Sequence, residues 1–237
     1  MLATLVNAAA VIVGSLIGLL LRGRIKESFK TVISVGAGIT TVIIAVQMSL
    51  KSTQIVYLAL SLIIGGLLGT WWRIEEGILS FGETLKRTFA RRSDGAQFAY
   101  GFLNASVLFC VGAVSLVGSI KAGAEGNYDL ILMKSVLDGF MSIVFTAAMG
   151  IGVAFSALSV LVYQGLLTLA AGWLKPLMSD TLLNELTGVG GGLVFMISLN
   201  LLGIAKPKTA NFLPSLLLIV LFVLGEGFVV SRHLFGL

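Results

Sequence analysis

Charge is scarce in this chain. Asp, Glu, Lys and Arg make up 11% of its 237 residues, against about a quarter in soluble domains, which excludes an ordinary water-facing surface. One cysteine, Cys110, leaves no intrachain disulfide, and its place in an apolar run marks it as an inert buried thiol. The one histidine, His233, stands near the C-terminus and reads as a solvated tail residue. A lone imidazole cannot build a histidine-rich metal site. There is no HExxH, no GxSxG and no GxxxxGKS/T. Zincin chemistry, serine-hydrolase chemistry and unaided use of ATP are thereby excluded, and neither enzymatic activity nor a cofactor is expected. No basic residue precedes the first apolar stretch, whereas Arg22 and Arg24 follow it, the wrong order for a cleaved secretory signal.

What fills the chain is apolar: 57% hydrophobic residues, with a mean hydropathy of +1.03. The apolar runs are about 18 to 21 residues long, enough to cross a roughly 30 Å hydrocarbon core as helices. Barrel strands would need only about ten and would alternate. The expected fold class is an all-α membrane protein of about eight spans, at 3–21, 31–50, 55–72, 98–120, 130–149, 154–174, 186–203 and 212–230. No charge occurs from Gly139 to Leu174. At 1.5 Å per residue that run would make about 54 Å of helix, too long for one crossing. A turn is therefore placed at Gly150 to Gly152, either covered by protein or forming a break within the membrane.

The net charge of +5 suits membrane orientation, not nucleic acid, because the basic residues flank the apolar runs. With eight spans, 11 of the 16 lysines and arginines fall on one side. That side is the cytoplasm by the positive-inside rule, which puts the N-terminus outside a bacterial inner membrane. Trp71, Trp72 and Arg73 form an interface anchor. Beyond them Ile74, Ile78, Phe81, Leu85 and Phe89 recur at helical spacing, while Glu75, Glu76, Glu83, Lys86, Arg87, Arg91 and Arg92 take the other faces. This pattern predicts an interfacial amphipathic helix on the cytoplasmic side, or a docking surface for a partner.

Part of the chain is stated twice. Val35, Gly36 and Gly38 of VGAG match Val189, Gly190 and Gly192 of VGGG, Ile43 matches Ile197, and Gln47 lies one residue out of step with Asn200. Each copy leads to a loop with lysine (Lys51; Lys206 and Lys208) and a further apolar run. Spans 2–3 and 7–8 then cross in opposite senses, an inverted repeat of the kind found in secondary transporters. Val6-Asn7-Ala8 and Leu103-Asn104-Ala105 are a weaker echo. The organisation expected is a single polytopic domain: a first three-helix unit (1–72), the amphipathic linker (73–96), spans 4 and 5 (97–150) and a second three-helix unit (151–237).

Several longer stretches, NAAAVIVGSLIGLLL, LFCVGA, KSVLDGF, GIGVAFSALSVLVYQG, GGGLVFMISLNLLGI and ANFLP, together resemble the bacterial inner-membrane family known as domain of unknown function 554. The resemblance covers nearly the whole chain and implies a multispan inner-membrane protein. It carries no activity or site, so function is argued from the residues.

An acid within a span costs about 2.5–3.5 kcal/mol on insertion scales. Asp138 is therefore either a cation or proton site, or a structural ion pair with Lys134, four residues earlier, near the outer interface. Asp129 and Asp138 fall short of the paired aspartates of intramembrane proteases, since Asp129 lies in a loop and Val136 stands where that motif needs glycine. Gly36, Gly38 and Gly190, Gly191 and Gly192 would permit close helix approach or local unwinding. Asn200 and Gln47, with Asn7 and Asn104, would line a polar path or bond between helices. Ser156, Ser159 and Tyr163, with Gln164 beside them, form a stripe facing either a solute or their own backbone. The function expected is secondary transport of a small polar or ionic solute by alternating access, with the lipid bilayer and a second copy of the chain as partners. The rivals are an oligomeric channel and a non-transporting scaffold or regulator.

Overall fold

In a computed structural model the chain is a bundle of α-helices without a strand, described for residues 1–22, 27–89 and 95–235. The helices are α1 (Leu2–Arg22), α2 (Glu27–Ser49), α3 (Ile55–Trp71), α4 (Ile74–Phe89), α5 (Gly95–Val111), α6 (Ala113–Ala124), α7 (Asp129–Met149), α8 (Gly152–Leu169), α9 (Ala171–Leu174), α10 (Asp180–Leu201) and α11 (Pro214–Phe235). The readings of Arg24, Lys26, Arg91 and Arg92, and those of the side chains of Leu85, Lys86, Arg87, Phe89 and His233, fall outside the described residues.

Among the described residues six helices are long and apolar enough to cross a membrane, and up to eight spans result if the bent pairs α3–α4 and α5–α6 each count as one. Two expected boundaries change. The span placed at 98–120 is not one straight helix: it breaks at Gly112, whose extended backbone starts a new helix bent by 59° from the first. The segment before 186 is not a loop. Ser179 caps it by accepting from the Leu182 N–H at 3.1 Å, and α10 runs from Asp180.

Helix α1 shows why the charge-poor composition folds. Its exposed residues include Leu5, Ile12, Val13, Leu16 and Leu20, while Ala3, Asn7, Gly14, Ser15 and Gly18 are among those buried. Large apolar side chains face outward because lipid solvates them as well as protein does. The small ones are turned inward because only they let backbones approach closely. A Cβ on Gly14 or Gly18 would collide with the carbonyl oxygens of Gly139 and Ile143, so α1 lies parallel to and against α7 through the sequence GSLIG. That GxxxG spacing is legible in the sequence and had no place in the expectations above.

Helices α2 and α10 run antiparallel. Gly38 abuts Leu202 at one end of the contact, and Gly191 abuts Ala45 and Ser49 at the other. Helix α3 likewise runs antiparallel to α11, with Gly65 against Ser215 and Gly69 against Asn211, and α5 lies parallel to α8, with Gly152 against Phe98. The expected turn is where it was placed: α7 ends at Met149, Gly150 takes φ +90°, which a side chain would strain, and α8 starts at Gly152. Protein covers it, since Arg22 lies over Gly150 and the start of α5 lies over Gly152. Trp71 and Trp72 at one end of the bundle and Trp173 at the other are exposed, as interface belts require.

The amphipathic segment is helical, and its apolar side is partly occupied by protein. Helix α4 packs antiparallel on the first half of α5, with Phe81 and Phe102 ring centroids 6.1 Å apart and Gly82 against Ala99. Its start is clamped: the Glu75 N–H donates to Asn211 Oδ1 at 2.9 Å, and the Ala210 N–H donates back to the Glu75 carboxylate at 3.0 Å. Asn211 thus ties the turn before α11 to the bend between α3 and α4.

Candidate functional site: a buried charge pair and a polar vestibule

The residues singled out in the sequence divide into two places and a remainder. In the first, Asp138 on α7 pairs with Lys134 one turn earlier, and both are buried, 7% and 6% exposed. Helix α1 contributes Asn7, whose Nδ2 donates to Asp138 Oδ2 at 3.0 Å. Helix α5 contributes Phe109, whose ring centroid lies 5.8 Å from the Lys134 ammonium, within cation–π reach. The ion pair of the second reading is present, and it is buried. The pair is enclosed by three helices, brought together by the glycine-mediated contact of α1 with α7. Asn7 Oδ1 is buried with no partner, leaving one acceptor beside the pair.

The second place is a cavity of about 310 Å³ at the Arg22 end of the bundle, lined by Ser34 of α2, Gln97, Tyr100 and Asn104 of α5, Ala148 and Met149 of α7, and Asn200, Leu201 and Lys206 at the end of α10. Asn104 and Asn200, far apart in sequence, thus face one space. The Asn104 amide is 2% exposed, its Oδ1 has no partner, and its Nδ2 reaches only the Met149 sulfur at 3.7 Å. A second hollow of about 250 Å³ shares Gln97 and Met149 with the first and is lined by Arg22 and Gly150. There Arg22 donates from Nη2 to Gln97 Oε1 at 3.0 Å, while its buried Nη1 has no partner. Buried Leu103, Val107, Leu193 and Ile197 cluster between α5 and α10. Sequence reasoning missed Arg22, Ser34, Gln97 and Tyr100, because polar residues near span ends are ordinary and only the packing shows that these converge.

The remaining candidates have structural partners or none. The three glycines of VGGG face three neighbours: Gly190 meets Val111, Gly191 meets Ser49 and Ala45, and Gly192 meets Leu62. Successive residues point about 100° apart, so a helix enclosed on three sides needs small residues in succession. Helix α10 stays continuous through them, so of the two readings these glycines serve close helix approach and not local unwinding. Gly36 is a correction, for a Cβ there would meet nothing within 4 Å. Gln47 is exposed on α2 and away from the Asn200 cavity. In α8, Ser156 donates to its own helix at Val153 O (2.6 Å), Ser159 accepts from Ser106 (2.8 Å) and Gln164 donates to Ser115 (3.1 Å). Tyr163 borders apolar hollows of about 420 and 580 Å³.

At the end opposite Arg22 stands an acid the sequence reading passed over. Glu185 is fully buried and accepts from Ser52 Oγ (2.5 Å), the Thr53 N–H (2.7 Å), Thr53 Oγ1 (3.0 Å) and the Gln54 N–H (3.0 Å). It caps the start of α3 from another helix. Four donors satisfy the carboxylate, so its role is to hold the α2–α3 turn against α10. Gln54 in turn donates to Glu226 at 3.0 Å.

Among known proteins, the sequence matches the family described as Protein of unknown function (DUF554) over residues 2–224. It is 33% identical over 243 residues to the Uncharacterized membrane protein YdfK of Bacillus subtilis, covering 100% of this chain and 99% of that one. It is 27% identical over 216 residues to the Uncharacterized protein YqgA of Escherichia coli, covering 90% and 92%. No solved structure matches significantly.

Proposed function

The chain belongs to the DUF554 family of membrane proteins, and on the geometry above we propose that it is a secondary transporter of a small polar or ionic solute. We place it in the bacterial cytoplasmic membrane with the Arg22 end in the cytoplasm and the N-terminus outside. One observation carries the reading: the vestibule lies between the antiparallel α2–α10 pair and helices α5 and α7. A polar cavity at one end of a helix bundle suits an inward-open carrier, and rocking of the α2–α10 pair against its neighbours would expose the cavity to the other side.

The inverted repeat is part of this proposal and has support in the contacts. The step that carries Gly36 onto Gly190 and Ile43 onto Ile197 also carries Ser61 onto Ser215, both fully buried. Near that register the Gly69–Asn211 contact has a counterpart in the Tyr57–Phe222 ring pair, 5.7 Å between centroids, at the other end of α3 and α11. In the mechanism, Asn104 and Asn200 contact the solute. The Asp138–Lys134–Asn7 group, about 16 Å along α7 from Met149, holds the coupling ion or proton.

Solute-driven flux into liposomes containing the purified protein is the test. Transport is expected in the wild type and is lost in the Asp138→Asn, Asn200→Ala double variant. Unchanged flux in that variant rejects the site, and unitary current steps in a planar bilayer identify a channel instead. A scaffold gains less from α4, whose apolar face is partly occupied by α5.

A further inference from the structure

The vestibule has a sign. Its described lining residues include Lys206 and no carboxylate, and the adjoining hollow adds Arg22, again with no carboxylate. The uncharged groups between them, Gln97, Tyr100, Asn104, Asn200 and Ser34, can all donate hydrogen bonds. Orientation in the membrane calls for basic residues near this end, but it does not call for withdrawing a guanidinium nitrogen from solvent. Arg22 nevertheless folds back over Gly150, where its Nη1 is withdrawn from solvent and unpartnered, while Nη2 is aimed at Gln97. A guanidinium with a free buried donor is an incomplete oxyanion site, because its forked N–H groups match two oxygens of a carboxylate or phosphate. Asn104, 2% exposed and held only by a thioether contact, is a second group awaiting a partner. The cavity's size, about 310 Å³, sits at the small end of metabolite sites.

We propose that the vestibule binds a small free oxyanion, a carboxylate or phosphate compound, between Lys206 and Arg22, with the Gln97, Asn104 and Asn200 amides completing its hydrogen bonds. This inference rests on the transporter reading for its consequence, the class of solute carried, but the binding site stands on its own geometry.

The full-length protein in phosphatidylcholine nanodiscs is titrated with sodium succinate and with sodium phosphate at constant ionic strength, against sodium chloride and glucose, and its melting temperature is read. At least one oxyanion is expected to raise it while chloride and glucose do not. Lys206→Gln, a change at an exposed position, should weaken the apparent affinity about tenfold, and Arg22→Gln by at least as much. Lys121→Gln, at the opposite end, should leave it unchanged. No response to either oxyanion overturns the proposal, as does an equal response in Lys206→Gln. Stabilisation by phosphatidylglycerol alone overturns it too, since the site would then hold a lipid headgroup. Uptake of the labelled anion into liposomes separates the two readings. Binding without uptake keeps the site and removes transport, whereas uptake of a cation or neutral solute with no oxyanion response keeps transport and removes the site.

Discussion

Gly14→Ala and Gly36→Ala are the same chemical change in the interiors of two consecutive helices, and the structure assigns them opposite consequences. Each exchange gains about 1 kcal/mol of helix propensity. At Gly36 nothing lies within 4 Å of the new methyl, so that gain is kept. At Gly14 the methyl would fall on the Gly139 carbonyl oxygen, with the Gly139 carbonyl carbon at 3.0 Å and Ser142 Cβ at 3.1 Å. Backbone atoms cannot rotate away, so α1 must move off α7. Overpacking of this kind costs about 1–3 kcal/mol. Because propensity is common to both, the difference between the variants isolates the contact, and the same 1–3 kcal/mol is expected between them. At roughly 2–4 °C per kcal/mol for a chain of this size, Gly14→Ala should melt several degrees below Gly36→Ala, measured by thermal unfolding in detergent micelles. The move would also draw Asn7 away from Asp138, now at 3.0 Å, so any flux should fall in Gly14→Ala and persist in Gly36→Ala. Equal melting temperatures, or a more stable Gly14→Ala, would refute the close α1–α7 packing on which the charge site is built.

Other consequences are equally measurable. Asp138→Leu leaves the Lys134 ammonium buried and alone, a loss of about 3–5 kcal/mol. The double change Lys134→Met, Asp138→Leu should recover most of it; if the double variant melts no higher than the single one, the two charges do not act as a pair. In Glu185→Gln the three donors to Oε1 keep a neutral acceptor while Ser52 Oγ meets an amide NH2 in place of the second carboxylate oxygen, which should cost about 1–3 kcal/mol and raise protease cleavage at the 51–54 turn, while unchanged melting and cleavage would show that the turn is held by other means. Asn211→Ala strands the buried Glu75 N–H and should destabilise by about 1–3 kcal/mol, visible as faster amide exchange at the start of α4. Gly191→Leu should prevent α2 from docking on α10, leaving a protein that inserts yet fails to purify as a monodisperse species; a monodisperse variant would contradict the Gly191 contacts with Ala45 and Ser49.

The length and apolarity of each run determined, without any coordinates, that the chain is helical and lives in lipid. A run too long for one crossing had to turn, and the only backbone suited to a tight reversal there was Gly150 to Gly152. Those inferences are local, resting on rise per residue, hydrocarbon thickness and glycine's access to positive φ. Which groups meet is not local. In a lipid-solvated bundle the buried face is marked by small residues instead of large ones, so hydrophobic periodicity says little about which sides of the helices touch. Packing alone decided that Asn7 reaches Asp138, that Asn104 and Asn200 share a cavity while Gln47 and Gly36 do not, that Glu185 serves a turn on another helix, and that Arg22 bends over Gly150. Each of those pairings spans a large part of the chain, and its geometry follows from helices brought close enough for one side chain to complete another's hydrogen bonds.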